Sequence, residues 1–185
     1  KKRAIDACAA AGLGVVLVPV IAPGVNEDQI GEILRFAGTR HPAVRGVHFQ
    51  PVSYFGRCGL DVPERRITIP RMLRLIEAQT GGAMKTADFA GGGPESAYCS
   101  FHASYMRRED GSFKALPRRE NACSCRTSAD TRAFVARQWS GGSPPEEDDG
   151  LTETSALDAF LEKVVGNTFS VSGMLFQDAW NLDLD

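Results

Sequence analysis

An α/β fold with parallel strands, followed by an α+β extension built on a β-hairpin, is what this sequence predicts. Three observations carry it. Val15-Val16-Leu17-Val18-Pro19-Val20-Ile21 is an unalternating, β-branched run, the pattern of a strand buried on both faces of a parallel sheet. A helical pattern separates it from a second β-rich stretch at 44–52, and strand–helix–strand at this spacing is a right-handed βαβ unit. Past Gly91-Gly92-Gly93-Pro94 the character changes, and two extended stretches flank the turn signal Glu109-Asp110-Gly111.

The elements follow in order. Residues 1–12 predict a helix with Ala4, Ile5, Cys8 and Ala9 on its inner stripe, stopped at Gly12 and Gly14. The strand 15–21 comes next. Asn26 is a candidate N-cap for a helix over 27–37, with Glu27 and Asp28 favourable in its first turn and Ile30, Ile33, Leu34 and Ala37 as its apolar stripe. Residues 38–42 end that helix. After the second strand and a loop over 56–63, Thr68 caps a third helix with Pro70 in its first turn, lined by Ile69, Met72, Leu73 and Ile76 and closed by Gly81-Gly82. In the second half, 98–107 and 112–116 form the hairpin, with Leu116 expected to return near the level of residues 98–101. A cysteine loop, a short helix at 130–139, an acidic linker at 140–153 and a terminal helix–strand segment complete the chain. The division expected is 1–90 and 91–185.

Composition narrows the function. The net charge is −2 over 185 residues. Nucleic-acid binding leans on a clustered basic surface, so none is expected. No apolar run approaches the roughly 20 residues of a membrane span. The helix-like start without a Met and the open ending predict a fragment. Cys8, Cys58, Cys99, Cys123 and Cys125 make an odd set without secretory context, so free thiols or metal ligands are better expectations than disulfides. A cytoplasmic location follows.

Two stretches in the first half resemble late barrel strands of the radical S-adenosylmethionine (SAM) superfamily. Leu17-Val18-Pro19-Val20-Ile21-Ala22-Pro23-Gly24-Val25-Asn26 is similar to a late barrel strand ending in Gly-x-Asn. Gly46-Val47-His48-Phe49-Gln50-Pro51-Val52-Ser53-Tyr54-Phe55-Gly56-Arg57 is similar to the sixth strand with its loop. Residues 49–57, followed in order by Tyr98-Cys99-Ser100-Phe101-His102 and Met174-Leu175-Phe176-Gln177-Asp178-Ala179-Trp180, resemble the subgroup related to tetraether-lipid synthase and to the radical SAM (seleno)protein of three-Cys-motif pair systems.

The resemblance implies that the first half is the carboxy-terminal part of a partial (β/α) barrel. It implies SAM, with Gly24, Val25 and Asn26 beside its ribose and amino-acid part and Gln50, Pro51 and Ser53 near its adenine, at the strands' carboxyl ends. In the parent protein it implies a [4Fe–4S] cluster that cleaves SAM to a 5′-deoxyadenosyl radical. No cysteine pair here matches the Cys-x-x-x-Cys-x-x-Cys motif, so this chain alone is expected to be inactive. The substrate stays open among small molecules, lipids and peptides.

Each residue also has a plainer reading. Capping alone accounts for Asn26, and a loop backbone is as good a partner for Gln50 as a ligand. His48 is assigned no role beyond that of Phe49's outward neighbour. Cys99, Cys123 and Cys125 are candidate ligands of an auxiliary iron–sulfur cluster or zinc, free thiols in a solvated loop, or redox groups. The alternative function is a zinc-stabilised binding module built on Cys99, His102, Cys123 and Cys125.

Overall fold

The computed structural model describes residues 1–54, 66–91, 99–108, 110–117 and 166–176. The expected helices at 130–139 and after 154, the linker at 140–153, Cys58, Cys123 and Cys125 lie outside the described residues.

The first 80 residues alternate as expected, in the order α1 (Lys2–Ala10), β1 (Val15–Leu17), β2 (Val20–Ile21), α2 (Ile30–Gly38), β3 (Val44–Pro51) and α3 (Ile69–Gln79). A single 3-10 turn (Thr86–Asp88) precedes β4 (Ala90–Gly91), β5 (Ser100–Arg107), β6 (Phe113–Ala115) and β7 (Thr168–Met174). The run at 15–21 is one strand in direction but two in pairing, because it breaks around Pro19, which has no N–H to give a ladder. The Pro19 carbonyl still accepts from Gln50 N at 3.0 Å.

The parallel expectation holds: β1 and β2 both pair parallel with β3. What the described strands form is an open mixed sheet of order β1-β3-β7-β5-β4, with β2 also on β3 and β6 also on β5. No barrel closure is shown among them. The strand that joins its two parts is β7. It runs parallel to β3 and antiparallel to β5, so a segment some 120 residues along the chain from β3 sits at the sheet's centre. Its fit depends on two glycines. A Cβ on Gly46 would collide with the Ser170 carbonyl, and one on Gly173 would lie 2.6 Å from the Phe101 ring.

Alternation along the strands puts Val47, Phe49, Phe101, Ala103, Tyr105, Phe169 and Val171 into one core. Against it pack Ile30, Leu34 and Ala37 of α2 and Met72 and Ile76 of α3. From α1 only Ile5 is buried; Ala4 and Ala9 are exposed and Cys8 is half-buried, so the stripe expected there is narrower. α3 starts as read: Thr68 Oγ1 accepts from Arg71 N at 3.4 Å, Pro70 occupies the first turn, and Gly81 and Gly82 follow the helix at φ +61° and +80°. The hairpin forms, with Gly111 at φ +82° and Asp110 Oδ1 accepting from Ser112 N at 2.8 Å. Its second strand is shorter than expected. Leu116 N donates to Ser104 O, so Leu116 stops at the level of Ser104 and not of residues 98–101.

Candidate functional site at the carboxyl ends of the parallel strands

Because β2 and β3 run in one direction, with Val20 opposite Gln50 and Ile21 opposite Pro51, the chain leaves both strands on the same edge. The segments 22–26 and 52–54 therefore start side by side. Parallel pairing with β3 brings the end of β7 there too, and Ser53 Oγ donates to Phe176 O at 3.1 Å. The start of β5 completes the edge: Ser100 lies opposite Met174, and Leu175 N donates to Cys99 O at 2.7 Å. Gly24, Val25, Asn26, Gln50, Pro51, Ser53 and Cys99, scattered over 76 positions of sequence, thus border one edge of one sheet.

Asn26 does not cap the helix. α2 begins at Ile30 behind Gln29, and the Asn26 amide is used on its own loop, Oδ1 accepting from Ala22 N and Nδ2 donating to Val20 O, both at 2.9 Å. Such a loop-closing amide is a common use of Asn in turns. Gly24 at the loop's tip has φ +70° and open space around it. Its N–H donates to Glu27 Oε1 at 3.3 Å.

Glu27 ties this loop to α3. Its Oε2 meets Arg71 Nη2 at 2.7 Å, and its carbonyl accepts from Gln79 Nε2 at 2.7 Å. Gln79 Oε1 in turn accepts from Gly31 N at 2.9 Å, satisfying one of the free N–H groups in the first turn of α2. One glutamine side chain therefore bridges the loop and the helix behind it.

The edge has an apolar rim. Val20, Val25 and Phe176 are 52%, 72% and 47% exposed. Gln50 and Ser53 are half-buried beside them, and Pro51 is buried. The donor set for a metal is thin in what is described: Cys99 is a half-buried free thiol, and no three His, Cys, Asp or Glu side chains converge among the described residues. His102 stands exposed on β5. One described thiol does not hold a cluster or zinc, and Cys123 and Cys125 lie outside the described residues. No helix among the described residues is long and apolar enough to cross a membrane.

Two contributors to this region were not legible in the residues. Phe176 and the β7 end enter only through pairing with a distant strand, although the alternation of Phe169, Val171 and Gly173 with Ser170 and Ser172 was a period-two signal. His48, given no role above, has its Nδ1 2.9 Å from Ser172 Oγ. At the other end of the sheet His41 and Arg45 are buried. His41 Nε2 is 3.4 Å from Thr168 O, and Arg45 Nη1 donates to Gly166 O at 2.7 Å. Burial holds the His41 imidazole below its ordinary pKa, and the nearby Arg45 and Arg107 charges push the same way, against the bond to Thr168.

No protein-family model matches the chain. It is similar to the 7,8-dihydro-6-hydroxymethylpterin dimethyltransferase of Methanocaldococcus jannaschii, 43% identical over 91 residues. That match takes in 48% of this chain and 18% of the archaeal protein, so the chain corresponds to under a fifth of its relative's length.

Proposed function

We propose that this chain is the carboxy-terminal part of a cytoplasmic radical SAM enzyme, residues 1–90 being the last strands of its partial barrel and 91–185 an extension with the cysteine loop. The observation that carries the reading is the parallel register of β2 and β3, which sets residues 22–26 beside residues 50–53 at one strand-end edge. Open α/β sheets bind ligands at the carboxyl ends of their strands. The archaeal relative is named as a methyl-transferring enzyme, a class in keeping with SAM at that edge.

A [4Fe–4S] cluster bound by residues outside this sequence would supply the electron for reductive cleavage of SAM. The residues here bind and orient. Gly24 lets the ligand approach the loop backbone without meeting a Cβ. Asn26 acts by holding that loop in shape. Val20 and Phe176 offer apolar contact to the adenine, Gln50 and Ser53 offer polar atoms to its edge, and Val25 borders the ribose. Cys99, Cys123 and Cys125 are the candidate auxiliary ligands within this reading.

The test is a titration of the isotopically labelled 185-residue chain with SAM, followed by amide NMR. Shifts confined to residues 20–26 and 50–53, weakened at least fivefold in Gln50→Ala, are expected. No shift at millimolar SAM sinks the proposal.

A further inference from the structure

The tip of loop 22–26 is held differently from its ends. The ends are closed by the Asn26 amide and by Val25 N, which donates to Ala22 O at 3.2 Å. At the tip the Gly24 N–H, on a residue at φ +70°, donates to Glu27 Oε1 at 3.3 Å. That bond is long and exposed, too weak by itself to fix a carboxylate at the end of a flexible side chain. The other oxygen fixes it. Glu27 Oε2 lies 2.7 Å from Arg71 Nη2, a charge-assisted contact of the short, strong kind. One carboxylate thus reaches from the tip of the loop to α3.

Arg71 is not explained by what it does for α3. It stands in the first turn, three residues past the Thr68 cap, where the helix dipole disfavours a cation, and no acidic side chain shares that turn. The fold gains little from the pair either, because its side chains are 32% and 21% exposed and such pairs add little to stability. Its effect is on geometry. The chain leaving β3 through Gln50, Pro51 and Ser53 continues to α3, whereas Glu27 follows the chain leaving β2. Arg71 and Glu27 therefore join the two connections that border the site edge. Gln79 also holds Glu27, through its backbone carbonyl, but only the Arg71 contact aims the carboxylate at Gly24.

We propose that Arg71 is a positioning residue for this loop: acting through Glu27, it holds the Gly24 peptide in the orientation that receives the ligand. The inference rests on the radical SAM reading for the identity of that ligand. Without Arg71 the Glu27 carboxylate leaves Gly24 and the tip samples other conformations, while the loop ends stay tied by Asn26. Apparent affinity then falls in proportion to the time the tip spends in its receptive form, so a competent fraction of about one fifth means about fivefold weaker binding.

The experiment follows the Gly24 amide by NMR in the full 185-residue chain, first alone and then with SAM. Arg71→Met keeps the apolar stem and removes the charge. Its Gly24 signal should shift although the two residues share no hydrogen bond, and its urea midpoint should stay with the parent's. SAM should bind it about fivefold more weakly. Arg71→Lys should recover most of that affinity, and Arg74→Met, exposed on the same helix, should change neither the signal nor the affinity. The double variant Glu27→Arg with Arg71→Glu separates positioning from plain ion pairing. It restores the pair and puts an acid in the first turn of α3, yet leaves Gly24 without its acceptor. It should therefore unfold at or above the parent's urea midpoint and still bind SAM weakly. Parent-level affinity in Arg71→Met or in the double variant overturns the proposal, as does an unmoved Gly24 signal in Arg71→Met. A parent chain that gives no response to SAM, while its Gly24 signal still follows Arg71, refutes the SAM reading and leaves the brace on the loop standing.

Discussion

Gln79 is where a single side chain should couple the stability of the fold to the shape of the site. Gln79→Leu keeps a similar volume and removes both polar contacts, the one to Glu27 O at 2.7 Å and the one from Gly31 N at 2.9 Å. Gly31 is buried, so its N–H is left without a partner and loses toward the upper end of the usual 1–3 kcal/mol range. Glu27 is half-buried, water can replace part of what its carbonyl loses, and the lower end applies. Together they predict a destabilisation of about 3–4 kcal/mol. Gln79→Glu should cost less, about 1–2 kcal/mol, because it keeps the acceptor for Gly31 and adds a negative charge at the start of α2. Urea unfolding followed by far-ultraviolet circular dichroism measures both, and hydrogen exchange at Gly31 reports the local part. The Leu variant should also weaken SAM binding, because Glu27 would be held to α3 by Arg71 alone. A Leu variant within about 0.5 kcal/mol of the parent, with Gly31 still protected, would refute the bridging argument.

Phe169, fully buried in β7 and stacked at a tilt 4.8 Å from Phe113, should lose about 3–5 kcal/mol on replacement by Ala in urea unfolding. Gly173→Val should prevent β7 from seating against Phe101, and amide exchange across β5 and β7 should then rise together while that of α2 changes less. His41 predicts a direction with pH. Its folded pKa lies below the ordinary 6.5, so above that value both states are neutral and nothing changes. As pH falls through 6.5 the unfolded chain takes the proton first, and stability is lost down to the folded value. The urea midpoint should therefore drop between pH 7 and pH 5 by more in the parent than in His41→Asn, and equal drops would count against it. Thr68→Ala should cost about 0.5–1 kcal/mol, at the low end for a cap because its bond to Arg71 N is long at 3.4 Å.

Much of the fold was written in local pattern. The β-branched runs at 15–21 and 44–52, the apolar stripe of Ile30, Leu34 and Ala37, the Thr68–Pro70 start, the Gly81-Gly82 stop and the Asp110-Gly111 turn are signals carried within a few residues, and each appears where the pattern places it. The convergence of Gly24, Val25 and Asn26 with Gln50, Pro51 and Ser53 also followed, because two parallel strands joined by a helix must end on one edge. Tertiary structure decided the rest. Asn26 could cap a helix or close a loop with the same amide, and the nearness of the Val20 carbonyl and Ala22 N–H chose the loop. The slot for Thr168–Met174 depended on Gly46 and Gly173, whose missing side chains admit a strand from the far end of the chain. Once that strand is seated, His48, Ser172 and His102 fall into one row. Strand registry across more than 120 residues is a property of backbone pairing and close packing, and no local pattern encodes it.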